Sequence, residues 1–117
     1  MHEMTEQNLH NPFAGESQAH MRYRIYSKVA NEEVYANVVL LFRAISFAEK
    51  VHANNHLERM PKAEGSFSGT NPYGIGSTVE NLQAGIDGET FEIKEMYPVY
   101  KKVANFQDES EAKTSFK

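Results

Sequence analysis

Cysteine is absent from the 117 residues, and so is tryptophan. The first absence removes disulfides, zinc ribbons, iron–sulfur centres and thiol nucleophiles together. Redox chemistry in such a chain needs a metal held by oxygen and nitrogen, or a bound cofactor. An excess of positive charge is also missing: 12 Lys and Arg face 16 Asp and Glu, for a net charge of −4. Nucleic acid asks for a basic face, so no nucleic-acid partner is expected. No apolar run approaches the ~18–20 residues of a membrane span. The opening MHEMTEQNLH lacks the charged start, apolar middle and small-residue cleavage site of an export signal. A cytoplasmic protein without membrane contact is the expectation, and the length allows one domain with a modest core.

Glycine and proline are scarce where helices need them to be. Residues 16–32 and 36–60 contain neither, and both carry helix-period apolar spacing. A short connection at 33–35 joins them into an antiparallel helical hairpin over 5–60. Residues 61–77, PKAEGSFSGTNPYGIGS, hold four of the seven glycines and two of the four prolines, which reads as a crossover loop. Ser77 and Glu80 stand in capping-box spacing at the head of a third helix running to about Asn105. Asp108 and Glu111 have the look of a fourth cap. The expected architecture is all-α: one domain over 1–117, a four-helix bundle whose second hairpin, 78–117, is incomplete because the fourth helix is largely missing.

The chain repeats itself. Displaced by 74 positions, Tyr23 falls on Tyr97, Tyr26 on Tyr100, and Val29-Ala30-Asn31 on Val103-Ala104-Asn105. Upstream the match needs a shift of 73, pairing Gly15-Glu16-Ser17 with Gly88-Glu89-Thr90. One residue is therefore inserted between Glu89 and Tyr97. An insertion inside a helix is commonly absorbed as a π-bulge, and such bulges gather at functional sites. Pro98, just beyond, also favours a local break in the hydrogen-bond ladder.

Carboxylates occupy places where apolar residues belong. The inward stripe of the first helix reads Leu9, Phe13, Glu16, His20, Tyr23, Ser27, Ala30; that of the second reads Val38, Phe42, Ile45, Glu49, His52, His56. The third reads Leu82, Ile86, Glu89, Ile93, Met96, Tyr100, Val103, with Glu92 one turn on from Glu89. A single glutamate in such a stripe usually sits at a helix edge, and Glu-x-x-His alone is common. Three helices each placing one at the same level is the informative pattern. An unpartnered buried carboxylate costs several kcal/mol, and Arg22, Arg24, Arg43 and Lys50 fall to the flanks, so a shared multivalent cation is the economical account. Carboxylate-rich sites with a few histidines suit iron or manganese. Helix bundles hold two such ions with single glutamates from two helices and Glu-x-x-His from two others. Glu16 and Glu89 are the singles; Glu49-Lys50-Val51-His52 is one Glu-x-x-His. His20 and His56 read as packed residues or as partners to the ligands beside the site, and Tyr23 and Tyr97 as core aromatics whose position also suits hydrogen bonds to its glutamates.

The segments FAGESQAHMRY (13–23), LFRAISFAEKVHANNHL (41–57) and ENLQAGIDGETFEIKEMYPVY (80–100) resemble the rubrerythrin family over nearly the whole chain. The resemblance implies a ferritin-like four-helix bundle binding two iron ions, with manganese or zinc as substitutes. It also implies reduction of hydrogen peroxide to water in oxidative-stress protection. By motif, Glu16, Glu49, His52 and Glu89 match the family's iron ligands, and Glu92 the additional glutamate that exchanges with the second helix's histidine as oxidation state changes. Glu92, Tyr23 and Tyr97 are the catalytic candidates. Without cysteine for a rubredoxin-like domain, electrons are expected from an external partner such as a rubredoxin-like protein. Ferritin-like iron oxidation and a metal-poor structural role stand as alternatives. The long crossover predicts a homodimer in which hairpins can be exchanged. Extending the repeat puts a second Glu-x-x-His at roughly positions 123 and 126, so the natural protein is expected to continue through them.

Overall fold

The computed structural model describes residues 3–60, 71–92, 98 and 102. Among these are three helices and no strand: α1 (Glu3–Glu32), α2 (Ala36–Glu58) and α3 (Thr78–Phe91). None is long and apolar enough to cross a membrane.

α1 runs unbroken through Pro12. Proline removes one backbone donor from the ladder, but this ring is fully buried, so packing offsets the loss. The helix ends in a tight reversal: Glu33 N–H donates to Val29 O and Tyr35 N–H to Ala30 O, both at 2.9 Å. Val34 turns the corner at φ 65° and stands 85% exposed, an unfavourable conformation for a β-branched residue. Tyr35 O then accepts from Val38 and Val39 N–H, opening α2 without a side-chain cap.

The hairpin closes on an aromatic cluster. Tyr23 stacks on Phe42 with centroids 5.9 Å apart, and Tyr26 meets both rings edge-on at 5.6 and 5.3 Å. Ala19, Ala30 and Val39 complete the buried core, with Val38, Ile45 and Leu82 against it. Burying a ring of this size stabilises by about 1.5–3 kcal/mol. Tyr26 is also a tether, its hydroxyl donating to Gly74 O at 2.6 Å and so fixing the loop before α3.

α3 begins with the expected capping box, Ser77 and Glu80 each bonding the other's backbone N–H. A second anchor comes from the far hairpin: Glu33 Oε1 accepts from Thr78 N–H at 2.6 Å and from its hydroxyl. These contacts lower the Glu33 carboxyl below its ordinary range.

All three stripes differ from expectation. On α1, Pro12, Ala19 and Tyr26 are buried, whereas Phe13 and His20 are only half-buried. On α2 the buried positions are Val39, Phe42, Ser46, Glu49, Ala53 and His56; Val38 and Ile45 are half-buried and His52 is exposed. Small Ser46 and Ala53 let α1 come close, which rotates the buried face by about one position. On α3 the buried residues are Thr78, Asn81 and Gly85, while Ile86 stands 59% exposed. The third helix's later stripe, the 61–70 part of the loop and the fourth helix lie outside the described residues.

Candidate metal centre

The aromatic cluster forms the floor of a polar chamber. Two turns beyond it on α1, Glu16 is 1% exposed; two turns beyond it on α2, Glu49 is 2% exposed. Their positions follow from the stripes: steps of three and four carry each from the core residues Tyr23 and Phe42 to the same level of the hairpin. α3 supplies Glu89, half-buried, and Glu92, which takes a π-helical conformation just past the end of α3. Glu92 falls in the interval where the repeat requires its extra residue, three positions on from Glu89 and so on the same side of the helix.

The ligand atoms of Glu16, Glu49 and His52 lie within 4.8 Å of one another, and so do those of Glu49, Glu89 and Glu92. Glu49 belongs to both groups. His52 Nδ1 is 4.0 Å from Glu16 Oε1 and 4.0 Å from Glu49 Oε2. With a 53% exposed side chain, it is the corner of the chamber open to water. Tyr23 donates its hydroxyl to Glu89 Oε1 at 3.4 Å.

Electrostatics gives this crowding a sign. Burial, a hydrogen bond with Glu89 and the charges of Glu89, Glu92 and Glu16 push Glu49 up to about 9. Burial, followed by the charges of Glu89 and Glu16, pushes Glu92 up to about 8, with Arg22 opposing. Burial, then Glu89, keeps the Tyr23 phenol protonated. Like charges held this close favour protons over full ionisation, and a multivalent cation can take the protons' place. The buried Oε2 of Glu49 finds no hydrogen-bond partner among the described residues. That leaves a lone pair available on the one carboxylate common to both groups. Hard oxygen donors with an imidazole suit iron or manganese. The residues present therefore fit a pair of ions, with Glu49 the one carboxylate available to both.

Of the sequence-derived candidates, Glu16, Glu49, His52, Glu89, Glu92 and Tyr23 converge on this chamber, while Tyr97 lies outside the described residues. His20 points elsewhere, its Nδ1 lying 2.8 Å from Ser46 O across the hairpin. One feature went unread, and another was read without its target. Arg22, a flank residue by periodicity, lies over the rings of Tyr23 and Tyr26 at 5.0 and 5.5 Å and faces Glu92 electrostatically. His56 does more than pack: its Nε2 is 3.1 Å from Glu16 Oε2. The His at i+4 from His52 was the available signal, but only the register between α1 and α2 reveals its target.

Residues 7–117 match a family model described as Rubrerythrin. Among similar proteins, rubrerythrin-2 of Clostridium acetobutylicum is 40% identical over 115 residues, covering 97% of this chain and 62% of the relative. Nigerythrin of Nitratidesulfovibrio vulgaris is 30% identical, covering 92% of this chain and 54% of the relative. Solved structures of nigerythrin in a mixed-valence state and a fully reduced, all-ferrous state superpose with TM-scores of 0.85 and 0.84. Each is 30% identical, and each match covers 96% of this chain and 56% of the other. The chain thus spans little more than half to about three-fifths of the relatives it matches.

Proposed function

The chain belongs to the rubrerythrin family, and from that premise we propose that it is a non-haem di-iron peroxidase, reducing hydrogen peroxide to water with electrons from an external donor. The carrying observation is the pair of three-residue groups sharing buried Glu49. Glu16, Glu49 and His52 would hold one ion and Glu49 with Glu89 the other, with Glu92 beside them in position to exchange with His52 as oxidation state changes. The all-ferrous state reported for the similar nigerythrin supports iron over manganese or zinc.

Two ferrous ions, when bound, supply the two electrons that peroxide reduction consumes. The protein's share is geometry and protons. Glu49 fixes the spacing by serving both groups. Tyr23 orients Glu89 through its hydroxyl, and the aromatic floor of Tyr23, Tyr26 and Phe42 excludes water from below. Peroxide reduction consumes two protons. Glu92, with Arg22 facing it, and Tyr23 are the proposed proton-handling groups, with Tyr97 as the repeat's counterpart of Tyr23. The 117 residues hold no cysteine, so the electrons come from a donor outside them, such as a rubredoxin-like protein.

The test compares oxidation of the ferrous-loaded protein by stoichiometric peroxide and by dioxygen, followed optically under anaerobic mixing. A peroxidase reacts with peroxide at least tenfold faster and turns over with an added reductant. Faster reaction with dioxygen, with iron accumulating beyond two per chain, would instead identify an iron-oxidising, iron-storing protein.

A further inference from the structure

His56 is 1% exposed, two turns along α2 from Glu49 and one from His52. Its Nε2 lies 3.1 Å from Glu16 Oε2, whereas the other oxygen, Oε1, faces the exposed His52 at 4.0 Å. The two oxygens of one buried carboxylate are thus divided between two imidazoles of the same helix. The approach is a close contact rather than an aligned hydrogen bond, a looseness common at such groups that a small ring rotation removes.

We infer that His56 is a positioning residue that clamps the outer oxygen of Glu16 and restricts this carboxylate to binding an ion through Oε1 alone. The inference rests on the metal-binding reading of Glu16. A carboxylate free to turn offers one oxygen or both, and its four lone-pair directions allow several ligand geometries. With Nε2–H donating to Oε2, rotation about the terminal bond is blocked and Oε1 stays directed toward Glu49 and His52. The donor is buried and sits on the same rigid helix as both of those residues, so the spacing of the whole group is set by the hairpin packing. Partners of this kind to ligating groups are typically worth about 10- to 100-fold in metal affinity. The clamp also separates the histidines by role: His52, at the solvent corner, is free to approach or leave an ion, and His56, in the interior, holds Glu16 whichever His52 does.

Cobalt(II) titration of the protein, read by visible absorption and native mass spectrometry, tests this with His56→Gln and His56→Leu beside Glu16→Ala. Thermal melts check that each variant folds. His56→Leu is expected to weaken one of two cobalt sites by about 10- to 100-fold and to change the ligand-field spectrum of that site only. His56→Gln, which keeps a side-chain N–H near the same place, is expected to recover most of the affinity and the spectrum. Glu16→Ala should lose the same site altogether. A wild-type protein that binds two cobalt ions and a His56→Leu variant indistinguishable from it in affinity and spectrum would overturn the clamp alone. Wild-type protein that binds no cobalt would overturn the metal site, and the clamp with it. Equal loss in the Leu and Gln variants would show that His56 acts only by filling space.

Discussion

Glu49 and Glu92 are both buried acids, yet their places in the chamber give them different consequences. Glu49 is shared, so Glu49→Ala is expected to remove most of both ions, measured as metal per chain after gel filtration; unchanged stoichiometry would sink the site. Glu92 touches one group only. Glu92→Gln is expected to retain metal while slowing peroxide turnover by about 100-fold, the usual scale for a lost proton-transfer group. The glutamates themselves were legible because a carboxylate in the middle of an apolar stripe violates the pattern that surrounds it. What did not show was mutual geometry. Nothing in the spacing of α2 says that His56 reaches Glu16, nor in α1 that Arg22 folds back over Tyr23 and Tyr26, because both depend on how far one helix is slid and rotated against another.

The hairpin and the head of α3 were readable for a different reason: local chemistry decides them. Gly- and Pro-free tracts, the 33–35 reversal and the Ser77–Glu80 box each act within a few residues. The bond from Glu33 to Thr78 crosses 45 residues and had no such signal. It carries a pH signature. The Glu33 carboxyl is lowered in the folded protein by the Thr78 hydrogen bonds, so the folded state binds this proton less readily than the unfolded chain. The stabilisation is therefore present above the ordinary carboxylate range and is lost as pH falls through the lowered folded value. Melting curves between neutral and acid pH should show Glu33→Gln destabilised at neutral pH and converging on wild type in acid. Parallel curves would remove the linkage. On α2, Phe42, Glu49 and His56 are buried as the spacing predicts, while Val38, Ile45 and His52 each miss by one position; Ser46 and Ala53 are buried for their small size, a property hydrophobic spacing does not score.

At the scale of the molecule, α2 presents an outer apolar row. Leu40 and Phe47 are each 64% exposed and Val51 40%, and they lie on one face at steps of seven and four. Contiguous apolar surface of this kind marks an association site. A second copy of the chain is the proposed occupant, with or without exchanged hairpins. Sedimentation velocity at micromolar concentration is expected to show a dimer that Phe47→Glu dissociates; a monomeric wild-type protein would refute it.

The exposure of His52 also sets a clock. An ion held by Glu16, Glu49 and His52 would lose a ligand whenever the half-solvated imidazole swung into water, and a chelator could then attack from that corner. Among the described residues, the ligands proposed for the other ion, Glu49 and Glu89, are buried or half-buried. Extraction by excess chelator should therefore proceed in two phases, the fast amplitude being one ion per chain. Replacing His52 by Ala should accelerate the fast phase and leave the slow one nearly unchanged. Release of both ions in a single exponential would mean that the two halves of the chamber open together.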